Sequence, residues 1–211
     1  MTAPKPAKSA GKHSSTRRSQ QQRNDEMRAL LAKAAYDEIA EKGHSNFRTA
    51  PVFARAGVSK GGMQHYFPTK NSLTLAAVEY AFDQANLMSA EFMQRPVQSA
   101  RDVLNNLLDD LEEYFGHNRF LVSLDITLHA AKSETLASEI RRRISDARTP
   151  IYRRWAEQFE QFGYSAVNAR FLVETATLLA SGAAIRKLWT PLDPAIKQKW
   201  ITMILEQQLS A

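Results

Sequence analysis

From Gln21 onward, every segment long enough to carry a pattern repeats its apolar residues at three- and four-residue intervals, and none alternates. That period puts the apolar side chains on one stripe of a helix, whereas a half-buried strand needs every second residue. The chain therefore reads as all-α. Met27, Leu30, Leu31, Ala34, Ala35 and Ile39 mark a first helix over 23–42, with Gly43 as its stop. Two short helices are predicted over 49–56 and 59–66, then longer ones over 71–93, 99–116, 118–131, 134–162, 166–189 and 193–209. Pro96 ends the 71–93 helix, Pro150 is expected to interrupt and kink the 134–162 helix, and Asp193-Pro194 caps and opens the last.

Composition narrows the chemistry. The 211 residues include no cysteine, which excludes disulfides, cysteine-held zinc or iron–sulfur centres and thiol redox sensing. No run of eighteen apolar residues occurs, so no membrane span is expected. Residues 1–24 carry six basic residues and no acidic one, while 71–211 hold fifteen basic and seventeen acidic residues. The net charge of +6 thus sits at the N-terminal end, where it can face a polyanion. Residues 1–20, rich in Pro, Ser, Lys and Gly, are expected to be a disordered basic tail. The tail lacks the apolar stretch of a secretory signal, and the expected compartment is the cytoplasm.

Three helices in about 45 residues, the second and third joined through Gly57, satisfy the helix-turn-helix pattern. The first short helix would brace across the phosphate backbone and the second would enter the major groove. Val52, Ala56, Val58 and Met63 supply apolar contacts between them, and Lys60, Gln64, His65 and Tyr66 offer polar tips. Gly61 and Gly62 leave the helix start open to a phosphate, and Ser59 can cap it. Gln reads adenine bidentately, and Lys neutralises phosphate.

The segment GHSNFRTAPVFARAGVSKGGMQHYFPTKNSL, residues 43–73, resembles the DNA-binding module of tetracycline-repressor-like (TetR) transcriptional regulators. Gly43, Ala56, Gly57, Val58, Ser59, Lys60, Gly61, Met63, His65, Tyr66, Phe67, Lys70 and Leu73 match the family pattern without a gap. Phe53 departs from it, standing where Ala is usual at the crossing of the short helices. Arg48 replaces the usual Ser/Thr cap, which moves the expected cap to Thr49. The resemblance implies a DNA-binding set of Arg48, Thr49, Ser59, Lys60, Gly61, Gly62, Gln64, His65, Tyr66 and Lys70. It also implies a helix-turn-helix domain over 21–70 and a larger helical domain over 71–211 that binds a small effector and dimerises.

The C-terminal half supplies material for both tasks. Ala176, Ala180, Ser181, Gly182, Ala183 and Ala184 permit close helix approach, and Ile196, Trp200, Met203, Ile204 and Leu205 give the last helix a second apolar face. A homodimer through the last two helices is expected. Phe92, Phe115, Leu124, Asp125, His129, Trp155, Phe159, Phe171 and Leu178 are the expected effector contacts, with an apolar or aromatic effector. Asp125 and His129 stand i,i+4 on one helix face, without the third ligand a metal needs, and no metal or cofactor is expected. No local catalytic motif is present, so an enzyme is not expected. The leading expectation is a homodimeric, ligand-released repressor on a near-palindromic DNA site. The alternative is an architectural or adaptor DNA-binding protein without an effector.

Overall fold

The computed structural model describes residues 20–59, 61, 65–191, 193 and 195–208. Its helices are α1 (Gln20–Lys42), α2 (Thr49–Ala56), α3 (Lys70–Met93), α4 (Ala100–Phe115), α5 (Asn118–Ala130), α6 (Glu134–Glu160), α7 (Ala166–Lys187) and α8 (Ala195–Gln208). A single 3-10 turn, His44–Asn46, joins α1 to α2, and no strand occurs among the described residues. The all-α expectation holds among the described residues, and the ends of these eight helices fall within a few residues of those expected, while the short helix expected over 59–66 lies largely outside the described residues.

Local chemistry explains most of the boundaries. Gly43 ends α1 at φ 73°, a backbone region that costs a residue with a Cβ but not glycine. Gly57 ends α2 in the left-handed region (φ 65°, ψ 28°). There the Val58 N–H reaches the Phe53 carbonyl at 3.0 Å and the Gly57 N–H reaches that of Ala54 at 3.3 Å, satisfying two orphan carbonyls. Thr69 opens α3 with a reciprocal capping box, its Oγ1 accepting the Ser72 N–H at 3.0 Å and Ser72 Oγ accepting the Thr69 N–H at 3.2 Å. Asp193 Oδ1 accepts the Ala195 N–H at 2.8 Å, the cap expected for the last helix.

Two of the local expectations fail for identifiable reasons. Arg48, not Thr49, holds the N-cap position of α2 and makes no side-chain cap bond. Pro51 removes the third N–H of that helix, one of the two donors that a capping oxygen would use. The helix α6 also runs unbroken through Pro150. Pro150 and Asp146 are both exposed, so the missing hydrogen bond falls on the solvent side of the helix.

Two apolar cores stack along the molecule. The first joins Leu31, Ile39, Phe47, Val52, Phe53 and Leu73 to Val122, Ile126 and Ile140 of α5 and α6. Phe53 is buried in this core; Met63, the contact expected from the second short helix, lies outside the described residues. The second core joins α4, the C-terminal half of α6, α7 and α8 around Leu107, Leu111, Trp155, Phe159, Leu172 and Ile201. The long helix α3 serves both, with Leu73 through Ala85 in the first and Phe92 in the second. Residue 70 is therefore where α3 starts, and the first core continues across it.

Between the cores lies a buried polar layer. Asp110, 2% exposed, accepts the Ser89 hydroxyl at 2.8 Å and the Trp155 indole N–H at 3.0 Å. Arg148, also buried, donates to Asn86 Oδ1 at 2.9 Å and lies over the Tyr114 and Tyr152 rings. Asn86 in turn donates to the Ala147 carbonyl at 3.2 Å, tying α3 to α6 beside Pro150.

Candidate nucleic-acid interface and effector cavity

The N-terminal head is braced on α1. Arg55 of α2 grips Glu41 through two bonds of 2.9 Å and approaches the buried Glu38 at 3.4 Å. The Arg55 hydrogen bonds hold the Glu41 carboxyl below its ordinary pKa. The Tyr66 hydroxyl donates to Asn24 of α1 at 3.3 Å, and the Arg28 guanidinium lies 6.0 Å from the Tyr66 ring and 5.5 Å from the Phe67 ring. Tyr66 is thus half-buried and anchored by α1, with its neighbour His65 exposed and edge-on to its ring at 5.2 Å. Neither Asn24 nor Arg28 stood out in the sequence, because contacts across forty residues leave no local pattern.

The exposed polar set offers a cationic surface. Arg48, Ser59, Gly61, His65 and Lys70 are exposed and Thr49 is half-buried. Arg48 Nη1 donates to the Phe47 carbonyl at 3.0 Å and to the Ser45 carbonyl at 3.3 Å, so both bonds use one nitrogen of an exposed guanidinium. The Lys70 ammonium sits 5.3 Å from the Phe47 ring. Partial burial, followed by the field of Arg48, holds Lys70 below the ordinary lysine pKa. An arriving anion relieves that repulsion. Lys70 is also the first residue of α3, where the Lys70 and Asn71 N–H groups lie outside the helix's own hydrogen bonds. Gly61, His65 and Tyr66 are helical, whereas Lys60, Gly62 and Gln64 lie outside the described residues.

A cavity of about 440 Å³ opens between the C-terminal end of α4, the start of α5 and the facing ends of α7 and α8. Phe115, Phe120, Leu121 and Leu179 give it apolar walls, with Glu112, His117 and Lys187 at polar positions. Of the nine residues expected to meet an effector, Phe115 lines this cavity. Trp155 and Phe159 are fully buried in the second core, and Phe92 is buried beneath the Arg95 guanidinium at 4.2 Å. Leu124 is half-buried on α5 and is not among the cavity residues. Phe171 and Leu178 face away from the core, because α7 turns Ala169, Leu172, Val173, Ala176 and Ala180 inward instead. Asp125 and His129 point toward the head: Asp125 Oδ2 accepts the His44 N–H at 2.6 Å, and the His129 and His44 rings are 4.3 Å apart. Among the described residues no group of three His, Asp or Glu side chains is placed to hold a metal, and no helix is long and apolar enough to cross a membrane.

The family profile described as "Bacterial regulatory proteins, tetR family" matches residues 31–77, from within α1 to the first turns of α3. The HTH-type transcriptional regulator CymR of Pseudomonas putida is 32% identical over 173 residues, covering 82% of this chain and 85% of the relative. A TetR-family regulator structure from Rhodococcus superposes with a TM-score of 0.60 at 22% identity, covering 87% of this chain and 99% of that one. FadR of Bacillus subtilis, solved with stearoyl-CoA, superposes at 0.56 with 15% identity, covering 83% and 96%. These two structures share the fold. With the head geometry and the similarity to CymR over most of both chains, the protein belongs to the TetR family and is a DNA-binding transcriptional regulator.

Proposed function

We propose that the chain acts in the cytoplasm as a homodimeric repressor, released from a near-palindromic operator when a small apolar or aromatic effector enters the cavity. Residues 21–70 form the DNA-binding unit and 71–211 the effector and dimer unit. The observation that carries the dimer is the outer face of α7. Val167 (66% exposed), Phe171, Leu178 (71%) and, just beyond the helix, Leu188 and Trp189 (70%) project from it, with Ile196 and Met203 exposed on α8. An apolar stripe of this extent is unusual on a monomer surface and suits a self-complementary four-helix contact. The cavity volume falls within the range of small-molecule sites. An occupant shifts the protein only through its different affinity for the DNA-competent and incompetent arrangements, with no chemical turnover of the effector.

Selection of genomic duplexes by the full-length protein tests this directly. The expected outcome is a near-palindromic site bound by a dimer, with affinity falling steeply between about 50 mM and about 200 mM salt. Lys70→Ala is expected to weaken binding to all duplexes alike and to lower the slope of log K against log salt by about 0.9, one phosphate contact. A monomer in light scattering, or equal affinity for every fragment, would overturn the reading.

A further inference from the structure

The turn that joins α1 to α2 is held from outside the head. Asp125 of α5 accepts the His44 N–H at 2.6 Å, across 81 residues of sequence. Asp125 Oδ2 also lies 3.6 Å from where a Cβ on Gly43 would stand, so the carboxylate packs against the one backbone position in the turn with positive φ. The His44 side chain is 3% exposed. Its Nε2 shares a 3.2 Å hydrogen bond with Thr74 Oγ1 of α3, while its Nδ1 is buried without a partner. His129, one helical turn beyond Asp125, closes over the ring. Two helices of the larger unit thus meet on a single residue of the head.

At its other end the same helix α5 contributes Phe120 and Leu121 to the cavity. Phe120 and Asp125 are five residues apart on a rigid helix, about 7.5 Å along its axis. A displacement of α5 at the cavity wall is therefore carried along the helix to the carboxylate.

We propose that Asp125 is a positioning residue for DNA binding, a latch that fixes the head angle by holding the His44 N–H. The latch opens when an occupant of the cavity moves α5. It acts through the backbone of the turn, so the side chain never touches DNA. The link to the cavity rests on the effector reading above; the link to DNA does not.

The test uses the duplex selected by the wild-type protein and paired spin labels at Ala54→Cys on α2 and Glu157→Cys on α6. Both positions are exposed and the native chain has no cysteine, so labelling is specific. Labelled chains are diluted with unlabelled chain to isolate the intramolecular distance. Asp125→Ala is expected to broaden that distance, to speed amide exchange over residues 43–47 and to weaken binding about tenfold, the loss of one charge-assisted bond. Asp125→Asn keeps an acceptor oxygen and is expected to restore affinity to within about threefold of wild type. A merely structural role would lower the melting temperature of Asp125→Ala while leaving the distance distribution and the affinity of the folded protein unchanged, which overturns the latch. Asn and Ala variants that are equally defective would also overturn it. Failure of wild-type protein to select any duplex would instead overturn the operator reading, and the distance and exchange measurements would still judge the latch.

Discussion

Asp110→Ala is expected to cost about 3–5 kcal/mol in unfolding free energy, far more than the few atoms removed would cost by volume alone. The carboxylate is the shared acceptor of the layer between the cores, taking the Ser89 hydroxyl and the Trp155 indole N–H. Burial holds its pKa above the ordinary carboxylate value, and the Ser89 bond, the charge of Arg148 and the Trp155 bond offset only part of that rise. Truncation leaves two buried donors without their acceptor and takes a nearby anion away from the buried Arg148 guanidinium. Asp110→Asn keeps one acceptor oxygen and should cost less, about 1–3 kcal/mol. Urea unfolding at one fixed protein concentration makes the comparison, since the apparent stability of any protein that self-associates depends on concentration. A loss below about 1 kcal/mol for Asp110→Ala would mean that water takes over the carboxylate's bonds.

The contrast between this layer and the helix ends shows what the sequence carries. Gly43, Gly57 and Asp193 announce their roles within three or four residues, because a left-handed backbone or a capping oxygen acts locally. The apolar spacing of α1 likewise locates Leu31, Ala35 and Ile39 in the core without reference to any other segment. Thr49 misled because the N–H missing at Pro51 was taken to cost little, whereas it removes a donor that a capping oxygen would use. Phe171 and Leu178 misled for a different reason: an apolar residue on a helix says that something covers it, not whether the cover is a ligand, the chain itself or a second copy. Their outward placement on α7 became visible once Leu172, Val173 and Ala176 were seen to fill the inward face.

The pair Asp125 and His129 marks the limit most clearly. Their i,i+4 spacing does put both on one face, and periodicity could show that much. Their partner is His44, whose position depends on α1, α3 and α5 all being packed. The same holds for Arg148 and Asn86, which meet only because α3 crosses α6 at the polar layer. Long-range polar pairs have no period, so a single sequence does not expose them.

His44 yields the second large effect, as a pH dependence. Burial, then the neighbouring His129 ring and the Lys70 ammonium, push its pKa down to about 4, with the Asp125 carboxylate opposing them. In the unfolded chain the imidazole returns to its ordinary value near 6.5. Between those values the unfolded state binds the extra proton and the folded state does not, so stability rises with pH across that window. The contribution is fully present above 6.5 and is lost as pH falls through the folded value of about 4. That gap corresponds to roughly 3 kcal/mol. Carboxylates protonate over part of the same range, so the informative quantity is a difference. Unfolding free energy should drop from pH about 7 to pH about 4 by roughly 3 kcal/mol more in the wild type than in His44→Asn, which has no titrating ring. The comparison is of slopes with pH, and it survives any constant loss from the smaller side chain. Because His44 sits under the Asp125 latch, the residues expected to lose amide protection first on acidification are 43–47, ahead of the second core. Equal pH slopes in the two proteins would show that water reaches the ring and that the turn is not sealed between α3 and α5.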